Sequence, residues 1–151
     1  MQDYRLNTGI VVVNDDKQIL LCERKDKKGA WQMPQGGIED GENPALAGLR
    51  ELYEETGIKA TLEDVLAETK DWLFYDFPPD AVFWKDKYKG QQQKWILVRF
   101  KGDDRDINLS AVDEEFSAWK WACPEEVIES IVPFKRPVYE RVIREFSCFL
   151  Y

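Results

Sequence analysis

A chain of 151 residues, 44% apolar and 33% charged with a formal charge of -8, has the size of one globular domain that buries about 70% of its unfolded surface. Histidine is absent, which excludes Ser-His-Asp and Cys-His nucleophilic centres, HExxH zinc sites and imidazole acid-base chemistry. The acidic balance excludes a protein that coats nucleic acid by bulk attraction, and leaves open a nucleic acid held locally by metal and a few cations.

The opening segment MQDYRLNTGIVVV carries no basic leader or cleavage site, and no run reaches the ~20 apolar residues of a membrane span, so a cytoplasmic location is expected. TGIVVVN and QILLCER read as two strands separated by the turn NDDK, followed by a loop through KDKKG and AWQMPQGG. From Asn43 the period turns helical. Leu46, Leu49 and Tyr53 recur at helical spacing, Pro44 suits the first helical position, and Gly57 suits the residue after the end. Residues 70–84, KDWLFYDFPPDAVFW, are aromatic with a double proline; QKWILVRF and FSAWKWA read as strands, and residues 124–130 and 136–150 as helices. No linker or repeat divides the chain, so residues 1–151 are expected to form a single domain with a mixed sheet covered by helices. Cys22, Cys123 and Cys148 form no CxxC pair and are expected to be reduced, buried thiols. Trp31, Trp84, Trp95, Trp119 and Trp121 read as packing residues.

Charge is unevenly placed. Residues 39–68 carry nine acids against two bases, whereas residues 85–101 carry six bases against Asp86 alone. One reading is a cation site facing an anion-binding surface, and the other is two solvated faces.

The informative segment is GGIEDGENPALAGLRELYEETGI, residues 36–58. A helix of 3.6 residues per turn places Glu51, Glu54 and Glu55 on one face within about one turn. Three like charges repel there, and the C-terminal end of a helix dipole disfavours them further. A hard divalent ion such as Mg²⁺ or Mn²⁺ takes carboxylate oxygen readily and relieves both penalties. Glycines at 36, 37 and 41 permit a sharp loop whose carbonyls approach a metal, and Arg50 can pair with Glu42 to tie loop to helix.

Gly36, Glu42, Arg50-Glu51-Leu52, Glu54-Glu55 and Gly57-Ile58 stand at the spacing of the Nudix box, and the chain resembles the Nudix hydrolases. That resemblance implies an α/β/α sandwich with a mixed β-sheet and a loop-helix-loop catalytic motif, cleaving phosphoanhydrides with Mg²⁺ or Mn²⁺. WQMPQGGI, DWLFYDFPP, GQQQKW, EEFSAWKW and FKRPVYERVIREF are similar to segments of the bacterial RNA pyrophosphohydrolases and the dinucleoside polyphosphate hydrolases grouped with them. The chain departs from that pattern at Leu6, at Ala30 and in the acidic pair of GGIEDGE.

Carried over, the resemblance implies two or three metal ions held by the carbonyl of Gly36 and by Glu51, Glu54, Glu55 and Glu115, with Glu114 the neighbour to be told apart. It implies an in-line attack of water on phosphorus without a covalent intermediate. A glutamate accepts the proton: Glu51 in the first instance, with Glu54 and Glu115 as alternatives. Glu42, Arg50 and Gly57 hold the motif in shape. Toward RNA, the resemblance assigns Arg5 and Phe134 to the first bases, and Lys25, Gln93, Lys135 and Arg136 to phosphates. The expected partner is 5'-phosphorylated RNA or a dinucleoside polyphosphate, with no DNA and no membrane, acted on by a monomer. A third reading is a non-catalytic nucleotide-binding regulator, which the intact box glutamates disfavour. Residues 104–115 imitate a calcium loop, but Leu109 stands where its turn needs glycine.

Overall fold

The computed structural model describes residues 4–79 and 88–151. Its strands are β1 (Tyr4–Val13), β2 (Ile19–Arg24), β3 (Trp31–Gln32), β4 (Gln35–Gly37), β5 (Val65–Glu68), β6 (Leu73–Asp76), β7 (Gly90–Arg99) and β8 (Phe116–Ala122). The helices are α1 (Pro44–Thr56), α2 (Pro124–Ser130), α3 (Arg136–Glu145) and α4 (Ser147–Leu150). β1 is central: it runs parallel to β7, in register from Tyr4 opposite Gly90 to Val13 opposite Arg99, and antiparallel to β2 and β4. β2 carries β3 and β8, and β7 carries β5 and β6, so the sheet is mixed.

The apolar runs of the sequence are explained by burial on both faces of this sheet. Ile10, Val12, Leu20, Cys22, Ile96 and Val98 cluster with Leu49 and Leu52 of α1. Their neighbours Val11, Val13, Ile19, Leu21, Trp95 and Leu97 cluster with Tyr139, Val142 and Ile143 of α3 and with Val127 of α2. Side chains of a strand alternate in direction, so each run feeds two helical layers, and the fold is the expected α/β/α sandwich.

Several local readings change. β3 and β4 lie in the segment expected as a loop: they are short pieces flanking Met33-Pro34 that pair with β2 and β1. α1 begins and ends as expected. Asn43 caps it by accepting from the backbone of Ala45 and Leu46, and Gly57 closes it at φ 74°. Its buried face is Ala45, Gly48, Leu49 and Leu52, whereas Leu46 and Tyr53 are exposed. The small residues win because α1 lies close to the sheet; a side chain at Gly48 would meet Ile96 and Thr8. The helix expected over 136–150 breaks at Phe146, which turns α4 off α3.

The three cysteines are free, but only Cys22 is buried; Cys123, at the start of α2, and Cys148, in the last turn, are exposed. Trp95 is fully buried, while Trp31, Trp119 and Trp121 are half-buried. Trp84, Lys85, Asp86 and Lys87 lie outside the described residues. The false calcium loop contains a short helical turn at Asp104–Asp106, and the Asp104 carboxylate accepts from the Trp121 indole at 3.0 Å. No helix among the described residues is long and apolar enough to cross a membrane.

Candidate active site

Two elements build the site from adjacent sequence. β4 delivers Gly36 and Gly37 by pairing Gly36 with Thr8 and Gly37 with Asn7 of β1. The loop through Glu42 then leads into α1, whose third turn carries Arg50, Glu51, Glu54 and Glu55. A Cβ at Gly36 would collide with the Glu51 carboxylate, so a glycine is required for the strand to approach the helix this closely.

Arg50 organises the cluster. Its Nε and Nη2 both donate to Glu42 at 2.9 Å, which closes the loop onto the helix. Nη2 also donates to the Gly37 carbonyl at 3.0 Å, and Nη1 donates to Glu51 at 3.0 Å and to Glu54 at 2.9 Å. A fork of planar donors is what lets one cation hold three carboxylates and a carbonyl at once. The Arg50 fork holds the Glu42 carboxyl below the usual range. Glu42, and after it Glu51, in turn push the Arg50 pKa further up and keep it protonated.

Glu51 and Glu55 behave differently. Burial pushes the Glu51 carboxyl up, and Glu54 and Glu115 add to the rise while Arg50 opposes it. Glu55 is 1% exposed, and its carboxyl is raised well above the ordinary value by burial, then by Glu115 and Glu51. Its Oε1 has no hydrogen-bond partner among the described residues. A buried polar atom without a partner costs about 1–3 kcal/mol, and more when it is charged. These hard oxygens, the orphaned Oε1 among them, and the close Gly36 backbone fit a divalent cation. The fit needs a rearrangement, because no three acidic side chains converge among the described residues and Glu51 and Glu54 are turned toward Arg50.

The acids open onto a cleft of about 760 Å³. Gly36, Glu51, Glu55 and Glu115 line it, as do Arg5, Phe134 and Lys135. Glu54 does not line it. Glu115 arrives on the segment before β8, tied by the bond from the Lys25 backbone N–H to its carbonyl at 2.9 Å. Glu114 points elsewhere and pairs with the Lys25 ammonium at 3.0 Å. Lys25 therefore sits in a neighbouring depression that shares Arg24, Asp26, Gln32 and Glu115 with the cleft. Phe134 is 37% exposed and its ring lies 5.7 Å from that of Tyr75.

Three of the expected phosphate contacts do not line the cleft: Lys25, in the neighbouring depression, Gln93 and Arg136. Gln93 is 1% exposed and fully engaged inside the sheet, bonded to Asn7, Gln35 and Trp95. Arg136 is exposed at the start of α3 and donates to the Glu129 carbonyl at 3.4 Å. None of the described cations of the basic stretch over 85–101 lines the cleft: Lys89 lies over the Tyr4 ring, and Lys94, Arg99 and Lys101 bind Thr69 and Lys70, Asp15, and Asp64. The cleft cations come instead from Arg5, Arg24, Lys27 and Lys135.

Sequence reasoning missed Gln91, Tyr75 and Asn7, which all line the cleft. Gln91 accepts from Arg5 at 3.1 Å and donates to the Tyr75 hydroxyl. The available signal was the alternation Gln91, Gln93, Trp95, which puts all three on one face of β7 opposite Arg5, Asn7 and Gly9 of β1.

Comparison with known proteins agrees with this geometry. Residues 3–142 match the profile of the NUDIX domain. The RNA pyrophosphohydrolase of Roseobacter denitrificans is 49% identical, over 97% of this chain and 94% of its own. That of Dinoroseobacter shibae is 51% identical with the same coverage of both chains, 97% and 94%. In fold, the dihydroneopterin triphosphate pyrophosphohydrolase of E. coli superposes with a TM-score of 0.73 at 20% identity, covering 95% of this chain and 99% of that one. With a sandwich of the expected layers and a loop and helix of glutamates bound by one arginine, the chain belongs to the NUDIX domain family.

Proposed function

We propose that the protein is a metal-dependent RNA 5'-pyrophosphohydrolase that converts 5'-triphosphate or 5'-diphosphate ends to 5'-monophosphate. The observation that carries this reading is one cleft lined both by carboxylates and by Arg5, Lys135 and the Phe134 ring. A terminal polyphosphate needs the first, and a nucleotide base and backbone need the second. Supporting it, the relatives at about half identity over nearly the whole chain bear that name.

Glu51, Glu54, Glu55, Glu115 and the Gly36 carbonyl would hold two or three ions, Mg²⁺ or Mn²⁺. When bound, such ions supply neutralisation of the phosphate oxygens and a water of lowered pKa. The residues do the rest. Glu51, half-buried and with a raised carboxyl pKa, is suited to take the proton of the attacking water. As the water oxygen bonds to phosphorus, the bridging P–O bond on the opposite side breaks and the phosphate or pyrophosphate leaves. Arg5 and Lys135 hold charge toward the chain of phosphates, and Phe134 offers a face to a base.

The test follows the 5' end of a short triphosphorylated RNA in Mg²⁺. The wild type is expected to release pyrophosphate or phosphate and leave a monophosphate end. Glu54→Gln and Glu55→Gln are expected to lose about a thousandfold in kcat with the fold unchanged. Wild-type rates in both variants would sink the assignment.

A further inference from the structure

We infer that Asn7 presents its amide N–H to a phosphate oxygen of the substrate, and that Gln93 and Trp95 act through it by fixing which way its carboxamide faces. The inference rests on the polyphosphate reading above and adds a neutral, buried donor to the charged phosphate contacts proposed there, Arg5 and Lys135.

The chain of constraints starts from a group that can face only one way. The Trp95 indole N–H is a donor and never an acceptor. Its ring is clamped over Gly9, where a Cβ would collide with it, and against the edge-on ring of Tyr139 at 5.5 Å. It donates to Gln93 Oε1 at 3.1 Å, so the Gln93 oxygen faces Trp95 and the Gln93 nitrogen faces away. That nitrogen donates to Asn7 Oδ1 at 2.8 Å and to Gln35 Oε1 at 3.3 Å. Asn7 lies directly opposite Gln93 in the parallel ladder. Turning either carboxamide over would set oxygen against oxygen or N–H against N–H. The orientation of Asn7 is therefore dictated from the core, and its oxygen is spent.

What remains is Asn7 Nδ2, fully buried and without a partner among the described residues. Asn7 lines the cleft and is paired with Gly37, one residue from the Gly36 that abuts Glu51. An unpaired buried N–H is rare in folded proteins and calls for an acceptor from outside. Phosphate oxygens are acceptors that carry charge, and on that reading the polyphosphate lies in this cleft. Gln93 is then a positioning residue that never touches the substrate.

The experiment compares kcat, KM and Tm for the wild type, Asn7→Asp, Asn7→Ala, Gln93→Met and the Asn7→Ala/Gln93→Met double variant, on 5'-triphosphate RNA and on a dinucleoside tetraphosphate. An aspartate keeps the acceptor for Gln93 but adds a buried carboxyl, so Asn7→Ala, which removes the amide without adding charge, carries the test and Asn7→Asp is read beside it. Asn7→Ala is expected to lose at least about tenfold in kcat/KM on both substrates, with Tm and the far-ultraviolet spectrum reporting that it is folded. Gln93→Met is expected to lose severalfold alone and nothing further in the Asn7→Ala background. Wild-type kinetics in Asn7→Ala, or multiplying losses in the double variant, would overturn the inference. So would a shift in the metal activation constant with the substrate KM unchanged, which would place the donor on Glu55. A wild type that hydrolyses neither substrate rejects the functional reading itself, a separate outcome.

Discussion

Lys135 is the cleft residue whose chemistry depends most on its surroundings. Its ammonium lies 5.6 Å from the Tyr75 ring centre and 5.9 Å from that of Phe134. Burial, with a smaller contribution from Arg24, lowers its pKa to about 8. The ordinary lysine value is about 10.4. Because the folded value is depressed, most of the charge is present at neutral pH and is lost as pH rises through about 8. The KM for triphosphorylated RNA is therefore expected to rise severalfold between about pH 7 and about pH 9. Lys135→Arg should keep the low KM across that range, and Lys135→Met should show a high KM that is flat with pH. Steady-state kinetics on the three proteins checks this; a flat wild-type KM would contradict it. At this scale the sequence was legible where the contacts are local. Arg50, Glu42 and the helix glutamates lie within one loop and helix, so their spacing sufficed. Gln93 was misplaced because its neighbours, Asn7 and Trp95, depend on the register between β1 and β7, strands 86 residues apart for Gln93 and Asn7.

The loop and helix act as one element because Arg50 and Gly36 hold them at a fixed distance. Gly36→Ala tests this directly. The added Cβ would meet the far end of the flexible Glu51 side chain, with φ in the ordinary range, so the fold is expected to survive while the carboxylate is displaced. Activity should fall by about a hundredfold or more with little change in Tm, a combination that kinetics and thermal melting read together. Full activity would remove Gly36 from the account. The bounds of α1 were readable from Asn43, Pro44 and Gly57, since caps are set by the chain itself. Its buried face was not. Leu46 and Tyr53 have the right spacing for a core stripe, yet contact with the sheet is made by Ala45 and Gly48, and only the packing distance decides between them. The short strands β3 and β4 escaped for a related reason: pieces of two and three residues carry no periodicity, and their pairing partners are elsewhere in the chain.

Across the whole molecule, the net charge of -8 conceals a division of labour. The acidic box would take cations, while the cations that line the same cleft, Arg5, Arg24, Lys27 and Lys135, come from β1, from the end of β2 and the turn after it, and from the segment before α3. Sequence alone suggested a single basic block at 85–101, because charges near in sequence are the ones a count can see. Its described members instead serve strand ends and ion pairs such as Lys101 with Asp64 at 2.6 Å. The layered sandwich, in contrast, was legible from the doubled apolar runs of β1, β2 and β7, which only a sheet covered on both faces can bury.

The central claim is that this cleft is shaped for a phosphorylated RNA end, with Arg5, Phe134 and Lys135 engaging the nucleotides. The most direct test mixes a short 5'-triphosphate RNA and a dinucleoside tetraphosphate at equal concentration with the enzyme and Mg²⁺, with Glu54→Gln as the blank, and follows both substrates in one reaction. Their ratio of consumption gives the ratio of kcat/KM. The account predicts that the RNA is consumed first, and that Phe134→Ala narrows the difference. Faster loss of the dinucleotide would contradict it and withdraw the RNA assignments of Arg5, Phe134 and Lys135.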